Sequence, residues 1–125
     1  MKYRESEEMY LETILILHER KACVHAVDVA AELGYAKSSV SRAMGLLHDK
    51  GYITVAQTGE ITLTDVGKAK AEDVYDRHNV LTALLMGVGA DREMAEENAC
   101  RIEHVISAEM FRIIKDYVNG KKEGE

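Results

Sequence analysis

Apolar positions Met9, Leu11, Ile14, Leu15 and Leu17 recur among charged neighbours at helical spacing and predict a helix from about residue 6 to residue 20. Ser6 suits its N-cap, and Glu7 and Glu8 complement the positive end of its dipole. The same periodicity predicts a short helix over residues 27–33, halted by Gly34, and a third from Lys37 or Ser38 to about Asp49, closed by Lys50-Gly51. The period then shortens to two. Tyr52-Ile53-Thr54-Val55 and Glu60-Ile61-Thr62-Leu63 alternate as strands do, and Gln57-Thr58-Gly59 between them is a turn signal, so a small hairpin is expected. Thr64-Asp65 caps a long helix reaching about Met86 and interrupted by Gly87-Val88-Gly89. Asp91 caps another helix through about Ile106, Ser107 caps a last one ending near Tyr117, and the tail from Asn119 is expected to fray.

Composition supports a mostly α reading: the 125 residues include no Pro, no Trp and one Phe. Such a chain buries one modest core, or a small core plus a helical extension that a partner covers. The net charge of −6 excludes a polycation that coats nucleic acid nonspecifically, but leaves room for a localised binding face. Residues 1–64 carry 7 Lys+Arg against 9 Asp+Glu, and residues 65–125 carry 9 against 13, so the acidity lies mainly in the second half. Two cysteines, Cys23 and Cys100, are too few for a disulfide scaffold and read as free thiols or metal ligands. No signal-like segment and no apolar run of membrane-spanning length is present, so a cytoplasmic protein without membrane contact is expected.

Helix, short helix, turn, helix, hairpin is the order of a winged helix-turn-helix. Ala30 is small where two helices cross, Gly34 permits the left-handed turn and Val40 locks the second helix onto the first. The third helix then enters the major groove of double-stranded DNA, presenting Lys37, Ser38, Ser39, Ser41 and Arg42 as exposed candidates. Arg42 suits a bidentate contact to guanine, while the serines suit phosphate or base edges. Lys2, Arg4, Lys50 and the wing residues Gln57 and Thr58 add candidate backbone contacts. Each charge taken singly also fits an ordinary solvated helix.

Distinct chemistry gathers in Asn98-Ala99-Cys100-Arg101-Ile102-Glu103-His104-Val105-Ile106-Ser107. At about 100° per residue, Cys100, Glu103 and His104 fall on one helical face, with Glu96 one turn earlier. Thiolate, carboxylate and imidazole all bind divalent transition metals, and three donors make half a site. Met9 and Glu12 share a face of the first helix, and His78 lies among Tyr75, Val80 and Leu81 in the long one. Each has a plain structural alternative: Met9 as core, His78 as a hydrogen-bonded interior histidine, Cys100 as filler, and Glu103 with His104 as an exposed ion pair. No enzyme is expected, since Cys100 and the histidines lack a glycine-rich oxyanion turn and no HExxH spacing occurs.

Across nearly its whole length the chain resembles the iron- and manganese-dependent repressors of the diphtheria toxin repressor and manganese transport regulator family. The resemblance runs through SEEMYLETI, VDVAAELGYAKSSVSRAMGLLHDKGYI, ITLTDVGKAKA, YDRHNVLTALL and ACRIEHVIS. It implies a winged helix-turn-helix over residues 1–64 and an α-helical metal-binding and dimerisation domain over residues 65–125. The implied function is a homodimeric repressor that binds a palindromic operator with divalent metal as co-repressor and controls metal homeostasis. It places Met9, Cys100, Glu103 and His104 at the primary metal site, matches His78 to an ancillary ligand, and matches Glu12 to a carboxylate that manganese-type members use. Thr82 stands where the family usually has a carboxylate and Glu96 where iron-type members have His, and the chain resembles the short, two-domain form. A thioether with a thiolate favours Fe(II), Co(II), Ni(II) or Zn(II) over the harder Mn(II); in the cell Fe(II) is expected first and Mn(II) next, with Zn(II), Co(II) or Ni(II) able to bind in vitro. The competing expectation is a metal-independent or thiol-based redox regulator of the same winged-helix class.

Overall fold

The computed structural model describes residues 7–123, with side chains to Gly120. Ser6, the expected cap of the first helix, and Lys2 and Arg4, expected at phosphate, lie outside the described residues. The elements are α1 (Glu7–Arg20), α2 (Ala26–Leu33), α3 (Lys37–Asp49), β1 (Ile53–Val55), β2 (Ile61–Leu63), α4 (Asp65–Gly87), α5 (Arg92–Ile102) and α6 (Ala108–Glu123). They form two compact units, and the division falls inside α4, between Asp73 and Val74.

In the first unit, Tyr10, Leu11, Ile14 and Leu17 of α1 pack with Val24, Val29, Ala30, Val40, Met44 and Leu47 in one core that Ile53 and Ile61 of the hairpin close. Gly34 takes φ 72° at the end of α2 and its N–H donates to the Ala30 carbonyl at 2.8 Å, which is the left-handed stop its residue type suggests. The hairpin pairs Ile53 with Leu63, Thr54 with Thr62 and Val55 with Ile61. Its free edge is held too, because the Ile61 N–H donates to the Val24 carbonyl at 2.7 Å. Thr64 caps α4 as expected: its hydroxyl accepts from the Gly67 N–H at 3.1 Å and donates to the Gly51 carbonyl at 2.7 Å. Gly67 is required by proximity, since a Cβ there would stand 1.9 Å from the Tyr52 carbonyl oxygen.

In the second unit, Val74, Val80 and Leu81 of α4, Ala95 and Ala99 of α5, and Phe111 of α6 are buried. Asp91 and Ser107 cap as expected, accepting from the N–H groups of Met94 at 2.8 Å and Met110 at 3.0 Å. Two boundaries differ from the sequence reading. Helix α5 ends at Ile102, not Ile106, because the Glu103 carbonyl, which a continuing helix would use, accepts instead from Arg77 Nη1 at 3.2 Å. Helix α6 passes Tyr117 and reaches Glu123, since Ile113, Ile114, Tyr117 and Val118 keep the helical period and one glycine, Gly120, costs a helix only about 1 kcal/mol.

Candidate metal centre and nucleic-acid face

Cys100 lies in the last turns of α5, whereas Glu103 is its C-cap and His104 falls in the turn beyond. The three are therefore not all helical, although Glu103 keeps right-handed helical angles (φ −60°, ψ −24°) and so stays near the Cys100 face. Its backbone is fixed at both ends, by its own N–H donating to the Ala99 carbonyl at 2.9 Å and by Arg77 on its carbonyl. Its side chain is wholly buried, at 0% exposure. One carboxylate oxygen is 2.8 Å from His78 Nδ1 and the other is 3.2 Å from His104 Nε2. A carboxylate taken out of water costs several kcal/mol unless cationic or hydrogen-bonding partners meet both oxygens. Here His78 hydrogen-bonds one oxygen, the other lies beside the His104 ring without a hydrogen bond to it, and the half-buried Cys100 adds a sulfur donor one turn earlier. Nitrogen, oxygen and sulfur donors in that combination fit a divalent transition metal.

A second group of donors lies in α1. Glu12 is buried at 7% exposure, and Met9, in the first turns, is half-buried. The Met9 carbonyl accepts from Thr13 Oγ1 at 2.8 Å, and its sulfur accepts from the Tyr35 hydroxyl at 3.6 Å.

His78 and Glu96 line a separate cavity in the second unit with Asn79, Thr82, Ala83, Met86 and Arg92. His78 Nε2 is 4.0 Å from one Glu96 oxygen, and the Arg92 guanidinium is 4.0 Å from the other. The buried Thr82 hydroxyl has no hydrogen-bond partner among the described residues. This lining brings together one imidazole, one carboxylate and one hydroxyl, with the exposed Arg92 guanidinium at its rim.

On the recognition helix α3, Lys37, Ser38, Ser41 and Arg42 are exposed. Ser39 is not the exposed residue the sequence suggests; it is half-buried and lines a cavity with Glu7, Tyr10 and Arg42, because its side of α3 turns toward α1. The N-cap, Ala36, offers no side-chain cap, so the first N–H groups of α3 remain open to a phosphate. Gln57 and Thr58 are exposed at the hairpin turn. Lys50, expected at phosphate, instead pairs with Glu7, which Lys70 also approaches at 3.7 Å.

Two residues in this chemistry gave no sequence signal. Arg77 and Tyr35 each act on a donor 26 residues away. No periodicity links residues at that separation, and only the packing brings them together.

These features define a winged helix-turn-helix regulator carrying clustered transition-metal donors. The chain belongs to the iron-dependent repressor family: residues 2–60 match its N-terminal DNA-binding domain and residues 64–123 its metal-binding and dimerisation domain. It is 31% identical over 121 residues to the uncharacterised HTH-type regulator MJ0568 of Methanocaldococcus jannaschii, covering 95% of this chain and 97% of that protein. It is 30% identical over 117 residues to the diphtheria toxin repressor of Corynebacterium diphtheriae, where it covers 90% of this chain but 52% of the relative, so it spans about half of that protein. A manganese-dependent transcriptional repressor solved in complex with manganese shares the fold, with a TM-score of 0.85 at 24% identity over 91% of this chain and 53% of the other. Among the described residues, no helix is long and apolar enough to cross a membrane.

Proposed function

We propose that this chain is a cytoplasmic, non-catalytic transcriptional repressor that binds palindromic operator DNA as a homodimer when loaded with divalent metal, Fe(II) foremost and Mn(II) next. The observation that carries this reading is the wholly buried Glu103 carboxylate met by His78 and His104 beside Cys100. Met9, Glu12, Cys100, Glu103 and His104 are the proposed ligands. Neither group of donors completes a closed transition-metal set on its own, and we assign both to one ion. His78 then acts on Glu103 as a positioning partner, and each subunit takes up a single ion.

When bound, the dication supplies positive charge that stabilises the ionised forms of Glu12, Glu103 and Cys100. Arg77 and His78 hold Glu103 in place for it. Met9 sits where α1 has few intrahelical hydrogen bonds, so ordering that turn is the step most sensitive to ligation. Lys37, Ser38, Ser41 and Arg42 meet the major groove, and Gln57 and Thr58 the adjoining backbone. The partner copy covers the outer stripe of α6, where Met110, Ile113 and Tyr117 are 45%, 57% and 58% exposed at helical spacing. Two such subunits read successive major grooves about 34 Å apart.

The test is metal stoichiometry combined with operator binding. Wild type is expected to bind one Fe(II) or Co(II) per subunit, and Glu103→Ala to lose metal affinity by about 100-fold together with metal-dependent DNA binding. Arg42→Ala should keep the metal and weaken the operator by about 1–3 kcal/mol. Two ions per subunit, or a Glu103→Ala protein that still needs metal to bind DNA, would overturn the assignment.

A further inference from the structure

Tyr35 occupies the middle of the three-residue connection between α2 and α3, and its hydroxyl donates to the Met9 sulfur at 3.6 Å. From this contact we infer that Tyr35 positions the Met9 thioether for the ion and links it mechanically to the start of the recognition helix. The inference rests on the reading of Met9 as a ligand.

Methionine has three rotatable side-chain bonds and is among the costliest side chains to order. A thioether sulfur carries two lone pairs. One accepting from Tyr35 leaves the other for a soft cation, so the donor narrows the rotamers of Met9 without taking its ligating capacity. The backbone of Met9 is held as well, through Thr13 on its carbonyl. Tyr35 is itself anchored: its ring meets Tyr10 edge-on, with centroids 6.4 Å apart and planes at 70°, and its N–H donates to the Ala30 carbonyl at 3.2 Å. It follows Gly34, whose φ of 72° fixes the chain direction, and precedes Ala36, the N-cap of α3, so the next residues are Lys37 and Ser38 on the DNA-facing turn. Thioether, phenol, turn and helix start thus form a continuous path inside one compact unit. Movement of Met9 on ligation reaches the first turn of α3 through the Tyr35 hydroxyl.

Tyr35→Phe keeps the ring and its contact with Tyr10 and removes only the donor. In the full chain, competitive titration with Co(II) should show about 3- to 10-fold weaker binding, the range of one lost hydrogen bond. Mn(II), which gains little from a thioether, should change less than about 2-fold. In a Met9→Leu background, Tyr35→Phe should be silent for both ions. The Met9 methyl resonance of 13C-labelled apoprotein, assigned by its loss in Met9→Leu, should move toward a rotamer-averaged shift in Tyr35→Phe. If Met9→Leu leaves Co(II) affinity unchanged, the ligand reading falls and the inference with it. If Met9→Leu weakens Co(II) binding while Tyr35→Phe does not, the ligand reading stands and the role of Tyr35 is overturned. Equal losses of Co(II) and Mn(II) affinity, persisting without Met9, would mark a general packing effect and overturn it too.

Discussion

Two cysteines of similar sequence standing have unlike surroundings. Cys100 sits one turn before a buried carboxylate held between imidazoles, whereas Cys23 is exposed beside Glu60. The Glu60 carboxylate, by its charge and its hydrogen bond to the thiol, raises the Cys23 pKa above the ordinary thiol value, so at neutral pH the thiol stays protonated and a poor nucleophile. Iodoacetamide should label Cys23 slowly at pH 7, and Glu60→Gln should speed labelling several-fold; fast labelling in the wild type would revive a thiol-switch reading through this residue. Helical spacing alone pairs Met9 with Glu12 and gathers Cys100, Glu103 and His104 as candidate donors three and four residues apart, whereas their union at one metal site was implied only by the family resemblance. Tyr35 and Arg77 were not, because they act across 26 residues through tertiary packing. His78, matched to an ancillary ligand by the resemblance and otherwise read as a hydrogen-bonded interior histidine, lies 2.8 Å from Glu103 and 4.0 Å from Glu96.

At the scale of elements, helix starts were easier to read than helix ends. Thr64, Asp91 and Ser107 each cap where a short polar side chain precedes an apolar period, a signal confined to four residues. The end of α5 depended on Arg77 taking the Glu103 carbonyl, which no local pattern encodes. Gly67 had an equally hidden role. Nothing in the local pattern marks it, yet it lets the first turn of α4 approach the Tyr52 carbonyl at the base of the hairpin. Gly67→Ala is expected to destabilise the protein by about 3 kcal/mol, the upper range for overpacking, because the obstacle is backbone and cannot rotate away. Thermal or urea unfolding checks this, and a change below about 0.5 kcal/mol would show that α4 shifts freely against the hairpin. Ser39 illustrates the reverse limit: a serine in the exposed-looking start of α3 is half-buried because that side of the helix lies toward α1.

For the molecule as a whole, the proposed shared ion makes metal occupancy and operator recognition two faces of one equilibrium. A coupling of about 1–3 kcal/mol, or roughly 5- to 150-fold in affinity, is ordinary for such linkage, and it must be reciprocal: operator DNA tightens metal binding by the factor with which metal tightens DNA binding. The acidic balance, −6 overall, leaves little nonspecific attraction to DNA to mask that factor. The most direct measurement is fluorescence anisotropy of a palindromic promoter fragment, titrated anaerobically with the protein at one fixed salt concentration in Fe(II), in Mn(II) and in EDTA. Binding at least about 5-fold tighter with Fe(II) than with EDTA, and lost in Glu103→Ala, is the expected result; equal affinity in the chelator and in the metal would contradict it.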